Sequence, residues 1–261
     1  MSSATFTPAP AAAPYWRMVR SQGRLETSLM LRNGEQLLLT LIIPLVLLVL
    51  LAGTDLVDIS GTALGTDADP VAAAVAGVLT VAVMSTAFTG LAIATGFERR
   101  YGVLRRLAVT PLPRSALLTG KALAVLAVEV VQVVLITGVG LLLGWSGEAN
   151  WIGVVLLVLV GTAAFAGLGM LMAGTLRAEA TLAAANLVYI LLLAAGAALV
   201  PVARYPEAIQ PVLQALPSGA LGEGLRAVVV DGAGIPWSQV AVLAVWAVLG
   251  LGLAARWFRW E

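Results

Sequence analysis

Six stretches of this chain are apolar over lengths that a water-soluble core of its size cannot absorb: residues 37–52, 71–96, 116–143, 151–176, 180–202 and 240–255. A hydrocarbon layer about 30 Å thick takes roughly 20 apolar residues in a helix. The first and last stretches reach that length by extending into their flanks. Only 11% of the 261 residues are charged, where a soluble domain carries about a quarter. The runs are continuous, unlike the alternating ten-residue segments of a membrane β-barrel. Pro44 and the many glycines are compatible with packed spans, because neighbouring helices satisfy the freed backbone groups. The expected fold class is therefore an all-α integral membrane protein with six transmembrane helices. They occupy residues 37–261, behind an N-terminal tail and interfacial helix over residues 1–36.

Orientation follows from the basic residues. Arg17, Arg20, Arg24 and Arg32 precede the first span, and Arg99, Arg100, Arg105, Arg106, Arg114 and Lys121 separate the second from the third. Arg177 sits between the fourth and fifth, and Arg256 and Arg259 follow the sixth. Thirteen of the fifteen basic residues thus share one side, which the positive-inside bias makes cytoplasmic. Both termini are expected there. The other side has Asp55, Asp58, Asp67, Asp69 and Glu148, with only Arg204 and Arg226. The uncharged Ala/Pro-rich tail over residues 1–14 lacks the basic start of a signal peptide and reads as a disordered cytoplasmic extension. Fourteen of the fifteen basic residues are arginine, which suggests a GC-rich bacterial genome and hence a bacterial inner membrane.

Two segments outside the spans are patterned. In the first, residues 97–121, Phe97, Tyr101, Leu104 and Ala108 fall on one helical face, with Arg99 and Arg106 opposite. Thr110-Pro111-Leu112-Pro113 stops that helix and Ser115 can cap the next. Such a helix could simply anchor the loop to anionic lipid. In the second, residues 203–236, Leu221, Leu225, Val228 and Val229 share a face and Glu223 and Arg226 lie on the other. That spacing predicts either a short helix dipping into the outer leaflet or an ordinary amphipathic surface helix.

No catalytic site is expected. The chain has neither cysteine nor histidine, so thiolate and imidazole chemistry and the commonest metal ligands are missing. Gly120-Lys121 is not a phosphate-binding loop, because Ser115 stands where the first glycine is needed and Ala122 where Ser or Thr is needed. The aspartates of the first outer loop read as solvated charges rather than a cation site. Polar residues inside spans are costly and point to function. Glu129 lies about 12 Å along the axis from Lys121, with Gln132 one turn deeper, and Asn186 lies about 9 Å beyond Ala180. These three are expected either to form a hydrogen-bonded cluster joining spans three and five or to line a translocation path. Glu129 then bonds Gln132 or Asn186 as a neutral acid, or faces a wet inward cavity.

The string Glu98-Arg99-Arg100-Tyr101-Gly102-Val103-Leu104-Arg105-Arg106-Leu107, then Thr110-Pro111-Leu112-Pro113 and Gly120-Lys121, resembles type-2 ATP-binding-cassette permeases. The drug-resistance branch, with its daunorubicin-type exporters, is the most similar. Arg32-Asn33, Pro44 and the Leu216-Pro217…Leu225-Arg226 segment fit as well, so the resemblance runs from about Arg17 to the C-terminus. Tyr101 departs from the usual polar or charged residue.

The resemblance implies a homo- or heterodimeric permease, each half docked on a separate ATPase subunit that binds ATP and magnesium. This chain would hold no cofactor itself. Residues 97–109 would be the coupling helix, meeting the ATPase through Phe97, Glu98, Arg99, Arg100, Tyr101, Gly102, Leu104 and Arg105. As polar cytoplasmic residues, Glu98 and Arg99 are expected to add little stability. The helix over residues 217–230 would be a re-entrant element closing the outer exit. The implied partners are the ATPase, a second permease and membrane lipid, with no nucleic acid. The implied cargo is an amphipathic or hydrophobic drug, antibiotic or lipid. Export of lipid-linked polysaccharide is the alternative within the superfamily. A proton-coupled secondary transporter is the alternative outside it, and would want broken helices and several buried ionisable groups.

Overall fold

A computed structural model describes residues 13–53 and 69–258, and every regular element among them is helical. Helix α1 is Tyr15–Arg32 and α2 is Gly34–Gly53. Helix α3 spans Pro70–Arg100, with a π-helical stretch at Met84–Gly90. The short α4 is Val103–Ala108, α5 is Arg114–Leu142, α6 is Trp151–Thr175 and α7 is Ala178–Ala195. Then come α8 at Gln210–Ala215, α9 at Pro217–Val229 and α10 at Trp237–Trp257. The expectations for the tail, Asp55, Asp58 and Asp67 lie outside the described residues. Asp69 has a structural role, its Oδ1 accepting from Val71 N at 2.8 Å to cap α3.

Among the described residues four helices are long and apolar enough to cross a membrane, namely α3, α5, α6 and α10. The other two expected spans are present as shorter apolar helices, Thr40–Gly53 and Ala178–Ala194. The fifth differs most from expectation, because α7 ends at Ala195 well before position 202. Ala197 takes a positive φ of 56°, an unfavourable turn for a residue with a Cβ. The carbonyls of Ala197 and Ala198 thereby turn toward Arg226, which donates to both.

Small residues explain which helix sits at the centre. From Ala72 to Val83 every residue of α3 is buried, and most are Ala, Val or Gly. Lipid tails compete equally for apolar side chains, so spans associate through close packing rather than hydrophobic exclusion. The α6–α10 crossing shows this directly. A Cβ on Gly167 would lie 2.7 Å from Leu251 N, and one on Gly250 would lie 2.9 Å from Leu168 N. Helix α1 approaches α5 in the same way, where a Cβ on Gly120 would meet the Gln22 side chain at 2.8 Å.

Candidate functional site

The last turn of α3 carries Phe97, Glu98, Arg99 and Arg100, and the helix stops at Tyr101. Gly102 follows with φ 70°, a left-handed conformation that glycine enters without steric cost. Its N–H donates to Arg99 O at 3.0 Å while Tyr101 N–H donates to Phe97 O at 2.9 Å. The continuous helix expected over residues 97–109 is thus two pieces, because the glycine takes the αL position that ends helices. The expected apolar face is divided as well. Leu104 is fully buried and pins α4 to the bundle, whereas Tyr101 is 66% exposed. The Tyr101 ring stacks on Phe97 with centroids 6.1 Å apart.

Three consecutive charged side chains tie this turn into the bundle. Glu98 accepts from Lys121 Nζ through both oxygens, at 2.6 and 2.9 Å. Lys121 also meets Glu26 Oε1 at 2.9 Å, and Gln22 Nε2 donates to that same oxygen at 2.8 Å. Arg99 donates to the Leu176 carbonyl beyond α6, and Arg100 pairs with Glu179 in the first turn of α7. Glu98 and Arg99 are therefore not ordinary surface residues. The outward-facing remainder consists of Tyr101, Val103, Arg105, Arg106 and Val109, the last 88% exposed.

Sequence reading missed the Lys121 cluster. In the sequence Lys121 reads as one of the cytoplasmic cations, as part of a failed phosphate loop and as part of the family string, although a lone lysine at the mouth of a long apolar run requires a counter-charge. Glu26 and Gln22, one turn apart on α1 and both facing inward, supply the complementary signal.

Within the bundle, Glu129 is 1% exposed and Gln132 2%, but the expected cluster is differently made. The partner of Glu129 is Thr162 on α6. Gln132 donates to Thr40 O at 2.8 Å and to Thr86 Oγ1 at 3.0 Å, joining α5 to α2 and to the π-helical stretch of α3. Asn186 belongs to neither group. It is exposed on α7 and donates to Leu182 O of its own helix at 2.9 Å. The link between spans three and five is replaced by links to spans one, two and four.

Hydrogen counting adds a chemical constraint on Glu129. Thr162 Oγ1 contacts Glu129 Oε2 and also lies 2.6 Å from Val158 O. A hydroxyl has one hydrogen. A neutral carboxyl that donates its proton to Thr162 satisfies both contacts in full, whereas a carboxylate has to share the one hydroxyl hydrogen with Val158 O. Glu129 Oε1 is buried with no hydrogen-bond partner among the described residues, which also fits a neutral acid, since an unpaired buried charge is costly.

At the opposite end of α3, helix α9 is buried along almost its whole length. The face expected to carry Glu223 and Arg226 is itself packed, since Arg226 is 2% exposed. Its guanidinium donates to Ala198 O and to Glu223 Oε1, each at 3.0 Å. Glu223 Oε1 also accepts from Val202 N at 3.0 Å. Burial draws the Arg226 pKa down from its ordinary value, and Glu223 works against that shift. Glycines admit the helix, for a Cβ on Gly224 would lie 2.8 Å from Leu157 and one on Gly153 would lie 2.7 Å from Val228. Among the described residues no group of three or more His, Cys, Asp or Glu could hold a metal ion.

Residues 51–257 match the family model described as ABC-2 family transporter protein. No curated protein matches the chain.

Proposed function

This chain belongs to the ABC-2 transporter family, and on that premise we propose that it is an exporter permease which docks a separate ATP-binding-cassette ATPase through the turn between α3 and α5. The observation that carries the docking site is the division of labour within residues 97–109. Glu98, Arg99, Arg100 and Leu104 hold the turn to α5, to the end of α6 and to α7, and Lys121 carries the link on to Glu26 of α1. Tyr101, Val103 and Val109 remain exposed beside Arg105 and Arg106. An exposed aromatic and two valines flanked by arginines suit a partner cleft with an apolar floor and an acidic rim. Because the turn is braced on four helices, a push on it moves them together. ATP-driven closure of two ATPases would thereby switch a permease dimer between inward- and outward-facing states, the ATP and magnesium being held by the partner.

The cargo proposed is an amphipathic or hydrophobic compound, a drug, antibiotic or lipid, moved out of a bacterial cell. The termini and the 97–121 segment lie in the cytoplasm in this reading. Helix α9 then lies at the outer mouth, where its burial suits a closing element. The test is capture of the ATPase subunit by the tagged permease in mild detergent. Tyr101→Ala with Val109→Asp should lower capture by roughly tenfold or more, the scale of losing one or two interface anchors, while the melting temperature is retained. Unchanged capture by that double variant would move the docking site elsewhere.

A further inference from the structure

Helix α1 carries a groove that the docking reading leaves unused. Its volume is about 540 Å³, and Val19, Leu31, Leu123 and Trp16 give it an apolar lining. Trp16 is 71% exposed and Leu31 50%, so the groove is open along its length. Arg20, Arg24 and Arg32 stand along the same groove. All three are exposed, and none takes part in an ion pair with a described residue. The cations are not dispersed by their own fold, in contrast to Lys121 and Arg100 close by.

Spacing gives the groove a definite chemistry. Arg20 and Arg24 are one helical turn apart, about 6 Å along the axis, so both side chains can reach one anion. Guanidinium forks match phosphate oxygens pairwise. Glu26, the one acid of α1, does not compete, because it is buried against Lys121 and does not line the groove. The apolar floor continues from α1 onto Leu123, within the long apolar helix α5. A ligand matching both parts has an anionic head and a hydrocarbon tail.

We propose that this groove seats an anionic phospholipid, its phosphate held by Arg20 and Arg24 and an acyl chain laid over Leu31 and Leu123. Arg32 adds positive potential near the α1–α2 joint. Trp16 occupies the headgroup level, where indoles concentrate. The occupied groove fastens α1 to the membrane surface. Through the Glu26–Lys121–Glu98 bridge it also steadies the end of α3.

The test is native mass spectrometry of the full chain released from nanodiscs of mixed phosphatidylglycerol and phosphatidylcholine. The wild-type chain should retain one phosphatidylglycerol preferentially. Arg20→Gln with Arg24→Gln should reduce that preference roughly thirtyfold, from about fivefold per arginine near an anionic surface. Arg20→Lys with Arg24→Lys should reduce it less, since charge stays while the fork is lost. Arg177→Gln with Arg256→Gln removes equal charge elsewhere and should leave it intact. Millimolar inorganic phosphate should not displace the lipid, because it lacks the tail. Equal loss in the Arg177/Arg256 variant, or full retention after Arg20→Gln with Arg24→Gln, overturns the proposal. So does a groove that retains only an acidic protein partner.

Discussion

Lys121 Nζ lies 2.6 Å from Glu98 Oε2, so the first charged residue in the last turn of α3 is bonded to α5 rather than presented to solvent. Glu26 completes the bridge from α1. Three segments far apart in sequence meet at a side chain that is 2% exposed. The turn is thereby braced from behind, leaving Tyr101 and Val109 to face outward.

Removing Lys121 should therefore be costly. Lys121→Ala leaves two carboxylates together without their cation, and breaking a buried ion pair by deleting one partner costs about 3–5 kcal/mol. Lys121→Ala should lower the unfolding temperature in detergent sharply. Glu98→Gln with Lys121→Met, which removes the cation and the carboxylate that meets it through both oxygens while keeping bulk, should recover part of the loss. A Lys121→Ala chain as stable as wild type would show that the bridge is not made.

Glu129 is read as a neutral acid donating to Thr162. Glu129→Gln keeps the shape and supplies an amide donor in the same place, so its stability should change by less than about 1 kcal/mol. Glu129→Ala removes the donor and opens a cavity, and should cost about 2–3 kcal/mol. Paired export assays with a cationic and a neutral compound separate packing from cargo contact. Equal retention of both in Glu129→Gln fits the packing role, and selective loss of cationic export would instead place Glu129 on the translocation path.

Arg226 holds the broken end of α7 to α9. Arg226→Met frees two buried carbonyls and the Glu223 carboxylate, and should destabilise the chain by about 3 kcal/mol or more. Arg226→Lys cannot span both Ala198 O and Glu223 with a planar fork and should recover only part of that. Thermal unfolding monitored by tryptophan emission is the readout. A neutral Arg226→Met would contradict the buried network.

Sidedness rests on the basic residues and is directly testable, because the chain has no cysteine. Ser115→Cys and Ser146→Cys are both at exposed positions. An impermeant thiol reagent applied to intact cells should label position 146 and spare 115. The reverse pattern would invert the topology.

How much of this was legible in the sequence depended on whether the signal was local. Hydropathy placed the four long spans to within a few residues, because length and continuity are properties of single segments. Gly102 was visible as a glycine, yet the amphipathic count carried the helix through it, since periodicity does not register one αL residue. Pairings failed for a different reason. Glu129 was matched with Gln132 and Asn186 by depth along the axis, but azimuth decides contact. Asn186 faces outward from α7, whereas Thr162 faces α5. The spacing puts Arg226 opposite the apolar face but does not show its burial, because a buried arginine requires acceptors. Those acceptors are carbonyls freed by an irregular turn at Ala197 that no pattern announces.

In the proposed function this chain converts ATP hydrolysis by a separate subunit into movement of a hydrophobic cargo. The most direct measurement is cargo flux in proteoliposomes holding the permease with its ATPase, beside the same vesicles holding the permease alone. ATP hydrolysis and ATP-dependent flux should appear only when both subunits are present, with both reduced together by Tyr101→Ala and Val109→Asp. Hydrolysis by the contaminant-free permease alone, or flux driven by a proton gradient without ATP, would contradict it.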